Sequence, residues 1–167
     1  DDTGFAQLGC YGSDIDTPNI NKLAAGGVQF TNFHVTPVCS PTRAALLTGR
    51  SQHAVGMRGL SGWVTGFPNA TGKISNSAAT IAEVLRDEGY ATLCAGKWHL
   101  NPGTEISAAG PFDQWPLGRG FERFYGFLPG ETDQFSPELV RDNTHIDPPA
   151  TPEEGYHLSE DLVDQLL

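Results

Sequence analysis

The stretch TIAEVLRDEGYATLCAGKWHL, residues 80–100, decides the fold class. Thr80 and Glu83 have the spacing of a capping box, in which a hydroxyl and a carboxylate satisfy the first backbone N–H groups of a helix. Gly89 is a typical helix stop. The apolar residues of the segment lie on one helical face, namely Ile81, Val84 and Leu85. Residues 90–95, YATLCA, then predict a short buried strand that follows the helix directly.

The same alternation extends toward the amino-terminal side. Thr17 followed by Pro18 predicts a helix start, and the pair Gly26 and Gly27 predicts its end. Residues 28–35, VQFTNFHV, are rich in β-branched and aromatic residues and predict a strand. Because helices and strands alternate, we expect an α/β fold in which helices sandwich a mostly parallel sheet.

The second half of the chain has a weaker pattern. Residues 101–149 are rich in glycine, proline and aromatic residues without a clean period. They predict either a long crossover or substrate-side excursion, or a loop whose aromatic side chains pack onto the domain. Thr151 and Glu154 repeat the capping-box spacing. An apolar i, i+4 series follows at Leu158, Leu162 and Leu166, so the chain is expected to stop inside a helix.

Composition narrows the classes of function. The 167 residues carry 10 basic and 20 acidic side chains, a formal charge of −10. The chain therefore lacks the basic face that a nucleic acid or an anionic membrane surface requires. No apolar run reaches the roughly 18 residues that span a bilayer. The three cysteines have neither the spacing of a zinc site nor an even count for a disulfide framework. The length favours one folded domain.

The most informative chemistry lies in CSPTRAALLTGR, residues 39–50. Pro41 suits the first position of a helix. Cys39 is then near a helix amino terminus, where unpaired N–H groups and the helix dipole favour an anion. Arg43 lies one turn later on the same face and supplies a second positive contact. By itself this pattern predicts either a reactive thiolate or a buried, inert cysteine.

Two further groups of polar residues have both a functional and a structural interpretation. Lys97 and His99, directly after the predicted strand, point to the same side of an extended segment. They are suited to binding an oxyanion, or they belong to a surface loop. Asp1 and Asp2 offer adjacent carboxylates of the kind that Ca²⁺ or Mg²⁺ prefers, or they form a solvated turn.

Taken together, these motifs resemble those of the sulfatase family. Residues 39–50 match its signature, Cys-x-Pro-x-Arg followed by Leu-Thr-Gly-Arg, and residues 96–100 look like its second signature, Gly-Lys-Trp-His-Leu. Residues 1–4 resemble its Asp-Asp-x-Gly metal pair, and Asp2 stands 37 positions before Cys39, in agreement with that family. Three shorter segments also resemble arylsulfatases of bacterial type, namely Tyr11–Gly12, Thr17–Ile20 and Gly155–Ser159. The resemblance therefore covers essentially the whole chain.

The resemblance implies a catalytic chemistry. It implies that a formylglycine-generating enzyme oxidises Cys39 to formylglycine. The hydrated aldehyde would attack sulfur through one hydroxyl and later expel sulfate as the aldehyde reforms. Arg43, Lys97 and His99 would then surround the sulfate group of a small-molecule sulfate ester.

The resemblance also implies a metal site and a domain organisation. Asp1, Asp2 and position 39, here Cys39, would hold Ca²⁺, with Mg²⁺ as an alternative. Residues 1–167 would be the N-terminal part of a single catalytic domain with the alkaline phosphatase-like sulfatase fold, incomplete at both ends. The family completes its metal site with a downstream Asp-Asn pair after a buried strand. Asp142 and Asn143 are expected to form a solvated turn instead, because residues 137–141 do not read as a buried strand and lie too early.

The function that the resemblance favours is that of an arylsulfatase, which cleaves an aryl sulfate ester to a phenol and inorganic sulfate. A phosphonate monoester or phosphodiester hydrolase is the alternative among enzymes, because related hydrolases use the same modified cysteine and metal. A catalytically inactive fragment that retains anion-binding residues is the alternative outside enzymes.

Overall fold

The structure is a computed structural model that describes residues 2–167. The larger part of it is built on a mixed four-stranded sheet. The chain divides into two compact units, Asp1–Thr36 and Pro37–Leu167, and each is described by itself. The expectation that residues 1–167 form part of one catalytic domain stays a prediction.

The smaller unit, Asp1–Thr36, contains helix α1, Pro18–Ala25. Two 3₁₀ turns precede it, at Phe5–Gln7 and Gly9–Tyr11. The predicted start of α1 at Pro18 and its end before Gly26 are confirmed. The strand predicted for residues 28–35 is wrong, because these residues form no strand. A strand requires a hydrogen-bonded neighbour, and no such neighbour pairs with residues 28–35 in the part of the chain that the structure describes.

The larger unit, Pro37–Leu167, is built on the sheet. Its strands follow in the order β1 Leu93–Lys97, β2 Arg123–Phe127, β3 Leu139–Arg141 and β4 Thr144–Ile146. β1 and β2 pair in parallel, with Lys97 opposite Phe127, whereas β2–β3 and β3–β4 are antiparallel. The predicted α/β class is confirmed, but the sheet of the described residues is mixed and not mostly parallel, because β1–β2 is parallel and the other two strand pairs are antiparallel.

Three α-helices accompany the sheet: α2 Cys39–Thr48, α3 Ile81–Asp87 and α4 Leu158–Asp164. The capping box predicted for α3 is confirmed, since the backbone N–H of Glu83 donates to Thr80 Oγ1 at 3.1 Å and that of Thr80 donates to Glu83 Oε2 at 2.6 Å. The helix α2 begins at Cys39 itself, so Pro41 is its third residue and not its first as predicted. Within residues 2–167, no helix is both long and apolar enough to span a lipid bilayer.

The strand β1 differs from the prediction in position and in burial. It begins at Leu93, three residues after the predicted start, and its residues are half-buried or exposed. The reason is its place at the edge of the sheet, where β2 is its one neighbour among the described strands. The apolar residues of the segment therefore predicted the strand but not the burial of its side chains.

Residues 101–149 contain three strands that the sequence did not predict, β2, β3 and β4. Leu139 and Val140 of β3 are only 0% and 1% exposed, so the expectation that residues 137–141 are not a buried strand is wrong. Asp142 and Asn143 do form a turn, between β3 and β4. The carboxylate of Asp142 accepts a hydrogen bond from the backbone N–H of Phe124 at 3.0 Å.

Side chains of β2 enter two apolar clusters. Phe124 belongs to the first cluster, with Trp98 and Trp115, and Tyr125 and Phe127 belong to the second. Adjacent residues of a strand point to opposite faces, so β2 is covered on both. The indole N–H of Trp98 donates to the carbonyl of Gln114 at 2.8 Å, which ties the connection between β1 and β2 to the core. The carboxyl ends of β1 and β2 are therefore fixed against the apolar core.

Candidate functional site

The candidate site lies where α2 begins and β1 ends. Cys39 is the first residue of α2, and its Sγ lies 3.0 Å from Nδ1 of His99. The tautomer of the imidazole decides which of the two atoms donates this hydrogen bond. The two residues are 60 positions apart in the chain, so the fold brings the two motifs together at this point.

A second hydrogen bond connects the same two segments. Arg43 lies one turn after Cys39, and its Nη1 donates to the backbone carbonyl of Lys97 at 2.5 Å. Lys97 is the last residue of β1. Both side chains are half-buried. The first turn of α2 is therefore attached to the end of β1 through Arg43 as well as through the Cys39–His99 pair.

His99 has a backbone conformation that the sequence did not predict. Its φ of 52° is in the left-handed region, which is unusual for a residue other than glycine. Its N–H still donates to the carbonyl of Leu128 at 3.0 Å and continues the pairing of β1 with β2. The prediction that Lys97 and His99 share one side of an extended segment is wrong in its premise, because the segment is not extended at His99.

Burial and charge act together on the ionisable groups of the site. Burial and, to a smaller extent, the charges of Lys97 and Arg43 together lower the pKa of the His99 imidazole to about 4. His99 is consequently neutral near pH 7, with one ring nitrogen able to accept a hydrogen bond. Burial also lowers the pKa of Arg43, while Cys39 and Cys94 oppose this effect, and the guanidinium stays cationic. The site thus combines a positive side chain with a neutral imidazole.

The predicted metal ligands are only partly described. Asp1 lies outside the described residues. Asp2, in the smaller unit, is exposed and has a φ of 55°. Within residues 2–167, no group of three or more His, Cys, Asp or Glu side chains is arranged to hold a metal ion. The assignment of Asp1, Asp2 and Cys39 as ligands stays a prediction, and the hard carboxylate oxygens at positions 1 and 2 fit a cation such as Ca²⁺.

Two residues beside the site were missed by sequence reasoning. Ser40 is fully buried, and its Oγ accepts a hydrogen bond from the backbone N–H of Ser61 at 3.1 Å. Gly130 lies against the ring of His99. The signal for Gly130 would have been its place after a strand parallel to β1, because the carboxyl ends of neighbouring parallel strands meet at one edge of a sheet. That signal needs β2, which the sequence pattern did not reveal.

Comparisons with known proteins agree on one family. The family model described as Sulfatase matches residues 1–167. Human arylsulfatase A is 44% identical over 157 residues, which cover 93% of this chain and 28% of that protein. Human steryl-sulfatase is 42% identical over 154 residues, which cover 84% of this chain and 26% of that protein.

A solved structure agrees with these sequence matches. The crystal structure of Ps i-CgsB superposes with a TM-score of 0.79 at 28% identity, and covers 99% of this chain and 38% of that one. The same protein was crystallised in complex with k-i-k-neocarrahexaose. This chain spans about a quarter of the length of the curated relatives it matches.

Proposed function

The chain belongs to the sulfatase family, and from this premise we propose that the protein of which it is part is an arylsulfatase. Sulfatases act on sulfate esters, and the family as a whole uses a formylglycine residue and a divalent cation. The proposed reaction is the hydrolysis of an aryl sulfate ester to a phenol and inorganic sulfate. Residues 1–167 contribute the nucleophile and part of its surroundings as the N-terminal part of one catalytic domain.

The observation that carries this proposal is the contact between the two signature segments. Cys39 Sγ lies 3.0 Å from His99 Nδ1, and Arg43 donates to the carbonyl of Lys97. A nucleophile, a cationic donor and a neutral imidazole are thus within reach of one small group. The cationic donor would stabilise the negative charge that develops on oxygen in the transition state, and the neutral imidazole would transfer a proton.

Each residue has a proposed role. Formylglycine at position 39 would supply a geminal hydroxyl that attacks sulfur, and the second hydroxyl would allow sulfate to leave as the aldehyde reforms. Arg43 would bind the sulfate oxygens through its planar guanidinium, and Lys97 would add a second positive charge. His99, neutral near pH 7, would accept or return a proton at a ring nitrogen.

The proposed cation belongs with the acidic residues at the start of the chain. Asp1 and Asp2 would hold Ca²⁺, or alternatively Mg²⁺, which polarises a sulfate oxygen. The thiol of Cys39 is a soft ligand that does not suit these hard ions. Cys39 would therefore contribute to the metal site only after its conversion by a formylglycine-generating enzyme, when the position carries oxygen atoms.

Mass spectrometry of the peptide that contains residue 39, in full-length protein from its native source, tests the maturation step. We expect the mass of this peptide to match conversion of the Cys39 side chain, CH2–SH, to an aldehyde, CHO. Cys10 and Cys94, which lack the Pro-x-Arg context, are the internal controls and should retain their thiols. An intact thiol at position 39 in that protein would refute the formylglycine nucleophile.

Activity assays separate the proposed function from its alternatives. We expect full-length protein with calcium to hydrolyse 4-nitrophenyl sulfate with a higher kcat/KM than bis-(4-nitrophenyl) phosphate or a matched phosphonate monoester. The reverse preference would assign the protein to phosphonate monoester or phosphodiester hydrolysis. The isolated chain of residues 1–167, with residue 39 converted and calcium present, tests the third alternative: robust turnover of 4-nitrophenyl sulfate by this chain would refute the catalytically inactive fragment.

A further inference from the structure

The imidazole of His99 lies directly against the α-carbon of Gly130. A Cβ atom added at Gly130 would be 2.7 Å from Cε1, 2.9 Å from Nε2 and 3.2 Å from Nδ1 of His99. Real Cβ atoms essentially never come within 3.0 Å of a neighbouring heavy atom. The edge of the ring that contains both nitrogens therefore occupies the space that any other residue at position 130 would fill.

The pairing of β1 with β2 fixes Gly130 beside His99. The backbone N–H of Trp98 donates to the carbonyl of Phe127 at 2.9 Å, and that of His99 donates to the carbonyl of Leu128 at 3.0 Å. Gly130 follows two residues after the last of these acceptors. The backbone of His99 is thus hydrogen-bonded to the same segment that contacts its ring. A shift of the loop around His99 therefore cannot easily carry the ring away from Gly130.

The requirement for glycine at position 130 concerns space and not backbone conformation. Gly49 and Gly89 have positive φ values of 63° and 84° with nothing within 4 Å of an added Cβ, so their backbones are what require glycine. Gly130 has no such positive φ. What a side chain would meet there is the imidazole of His99, whose ring atoms can move away only together, by rotation about χ1 and χ2.

We infer that Gly130 is a positioning residue that seats the His99 imidazole against position 39. Because Gly130 has no Cβ, Nδ1 of His99 can lie 3.0 Å from Sγ of Cys39. The inferred role in sulfate ester hydrolysis rests on the proposed function, whereas the seating of the ring does not. An alanine at position 130 would displace the ring or the loop by several tenths of an ångström and disrupt the contact with position 39.

A double-mutant cycle tests the seating in full-length protein produced without the formylglycine-generating enzyme, so that Cys39 keeps its thiol. The alkylation rate of Cys39 by iodoacetamide, followed by mass spectrometry, is measured for Gly130→Ala, His99→Ala and the double variant. Each single substitution should change the rate at least about twofold, the lower end of coupling between contacting residues. Gly130→Ala should have no further effect once His99 is Ala. Gly103→Ala is the matched control, because an added Cβ there has nothing within 4 Å.

Thermal unfolding midpoints test the contact between Gly130 and His99 even if Gly130→Ala is unstable. His99→Asn removes the ring atoms Cε1 and Nε2, which lie closest to the added Cβ. Gly130→Ala should therefore lower the Tm clearly in the wild-type background and only slightly in the His99→Asn background. An equal decrease in both backgrounds, or an effect on Cys39 alkylation that persists without His99, would overturn the inference.

Kinetics of the matured protein separate this inference from the proposed function. We expect Gly130→Ala to reduce kcat for 4-nitrophenyl sulfate toward the value of His99→Ala, while KM changes little. If no sulfate ester is hydrolysed but the alkylation rates are coupled, the proposed function fails and the seating of His99 stands. If sulfate esters are hydrolysed and the rates are not coupled, the inference fails and the function stands.

Discussion

Arg43 joins the two signature segments through a hydrogen bond from its Nη1 to the carbonyl of Lys97. Its substitution by alanine removes this bond and the positive charge beside position 39. We expect Arg43→Ala to lower kcat/KM for an aryl sulfate about 10²–10³-fold in the full-length protein, the usual loss when one donor to a developing oxyanion is removed. Steady-state kinetics at saturating calcium measure this effect.

Two variants provide the comparison for Arg43→Ala. Arg43→Lys retains the charge but loses the planar pair of donors, so its kcat/KM should be intermediate. Arg86→Ala removes an exposed arginine from the last turn of α3 and should leave kcat/KM unchanged. Equal losses for Arg43→Ala and Arg86→Ala would mean that general charge, and not the position of Arg43, explains the effect.

The thiol of Cys94 should react slowly. Burial raises its pKa from 9.0 to about 11, and the charge of Arg43 only partly opposes this shift. The thiolate is the reactive form, so the proton must be lost before alkylation. Because the pKa is raised, we expect the iodoacetamide rate of Cys94 to keep rising about tenfold per pH unit beyond pH 9. The rate of a short cysteine peptide should level off there.

Peptide-resolved mass spectrometry in native and urea-unfolded protein measures the alkylation rate at Cys94. Unfolding removes the burial, so the pH dependence at Cys94 should become that of the peptide. A native profile that already levels off near pH 9 would contradict the raised pKa.

At the residue scale, the members of the candidate site could be selected from the sequence where they stand close together in one motif. Cys39 and Arg43 stand in one helical turn, and Lys97 and His99 stand two apart, so the sequence indicated all four. The contact of His99 with Gly130 was not predictable, because it depends on a left-handed backbone at His99 and on the pairing of β1 with β2. Both features are properties of the assembled sheet.

At the scale of elements, the capping boxes at Thr80 and Thr151 have very different surroundings. Thr80 is fully buried, and its hydroxyl both accepts from the N–H of Glu83 and donates to the carbonyl of Arg119 at 2.7 Å. Thr151 stands exposed before the 3₁₀ turn Pro152–Glu154. We expect Thr80→Ala to lower the free energy of unfolding by about 2 kcal/mol, because a cap and a buried hydrogen bond are lost together. Thr151→Ala should lower it by roughly 0.5 kcal/mol.

Urea unfolding of both variants, followed by circular dichroism, checks this difference. Thr80→Ser keeps the hydroxyl and should recover most of the stability that Thr80→Ala loses. A Thr151→Ala variant as unstable as Thr80→Ala would show that burial of the cap does not govern its contribution.

Helices and strands differed in how far sequence predicted them. The helix α3 was predictable because its capping box and its stop lie within ten residues of one another. Residues 28–35 had the composition of a strand but form none, and β2, β3 and β4 arose in a segment without a clean pattern. A helix satisfies its hydrogen bonds locally, whereas a strand depends on a partner that can be distant in the chain. The pairing of β2 with both β1 and β3 is of that kind.

At the scale of the whole chain, burial is unevenly distributed between the two units. Within the described residues 2–36, no residue is buried, whereas both apolar clusters belong to Pro37–Leu167. Burial of apolar surface is the main favourable contribution to folding. Local opening should therefore require less free energy in Asp1–Thr36 than in the sheet of the larger unit.

This difference predicts where the isolated 167-residue chain opens first. Lys22 is the single lysine or arginine in residues 1–36, and it is exposed in the last turn of α1. Limited trypsin digestion should therefore cut after Lys22 well before it cuts after Arg119, which is only 3% exposed. Hydrogen exchange should follow the same order, because the amides of α1 lack a buried face while β2 is covered on both sides. Equal protection of α1 and β2, or early cleavage at Arg119, would contradict this order and indicate that the free energy of opening does not follow the distribution of buried residues.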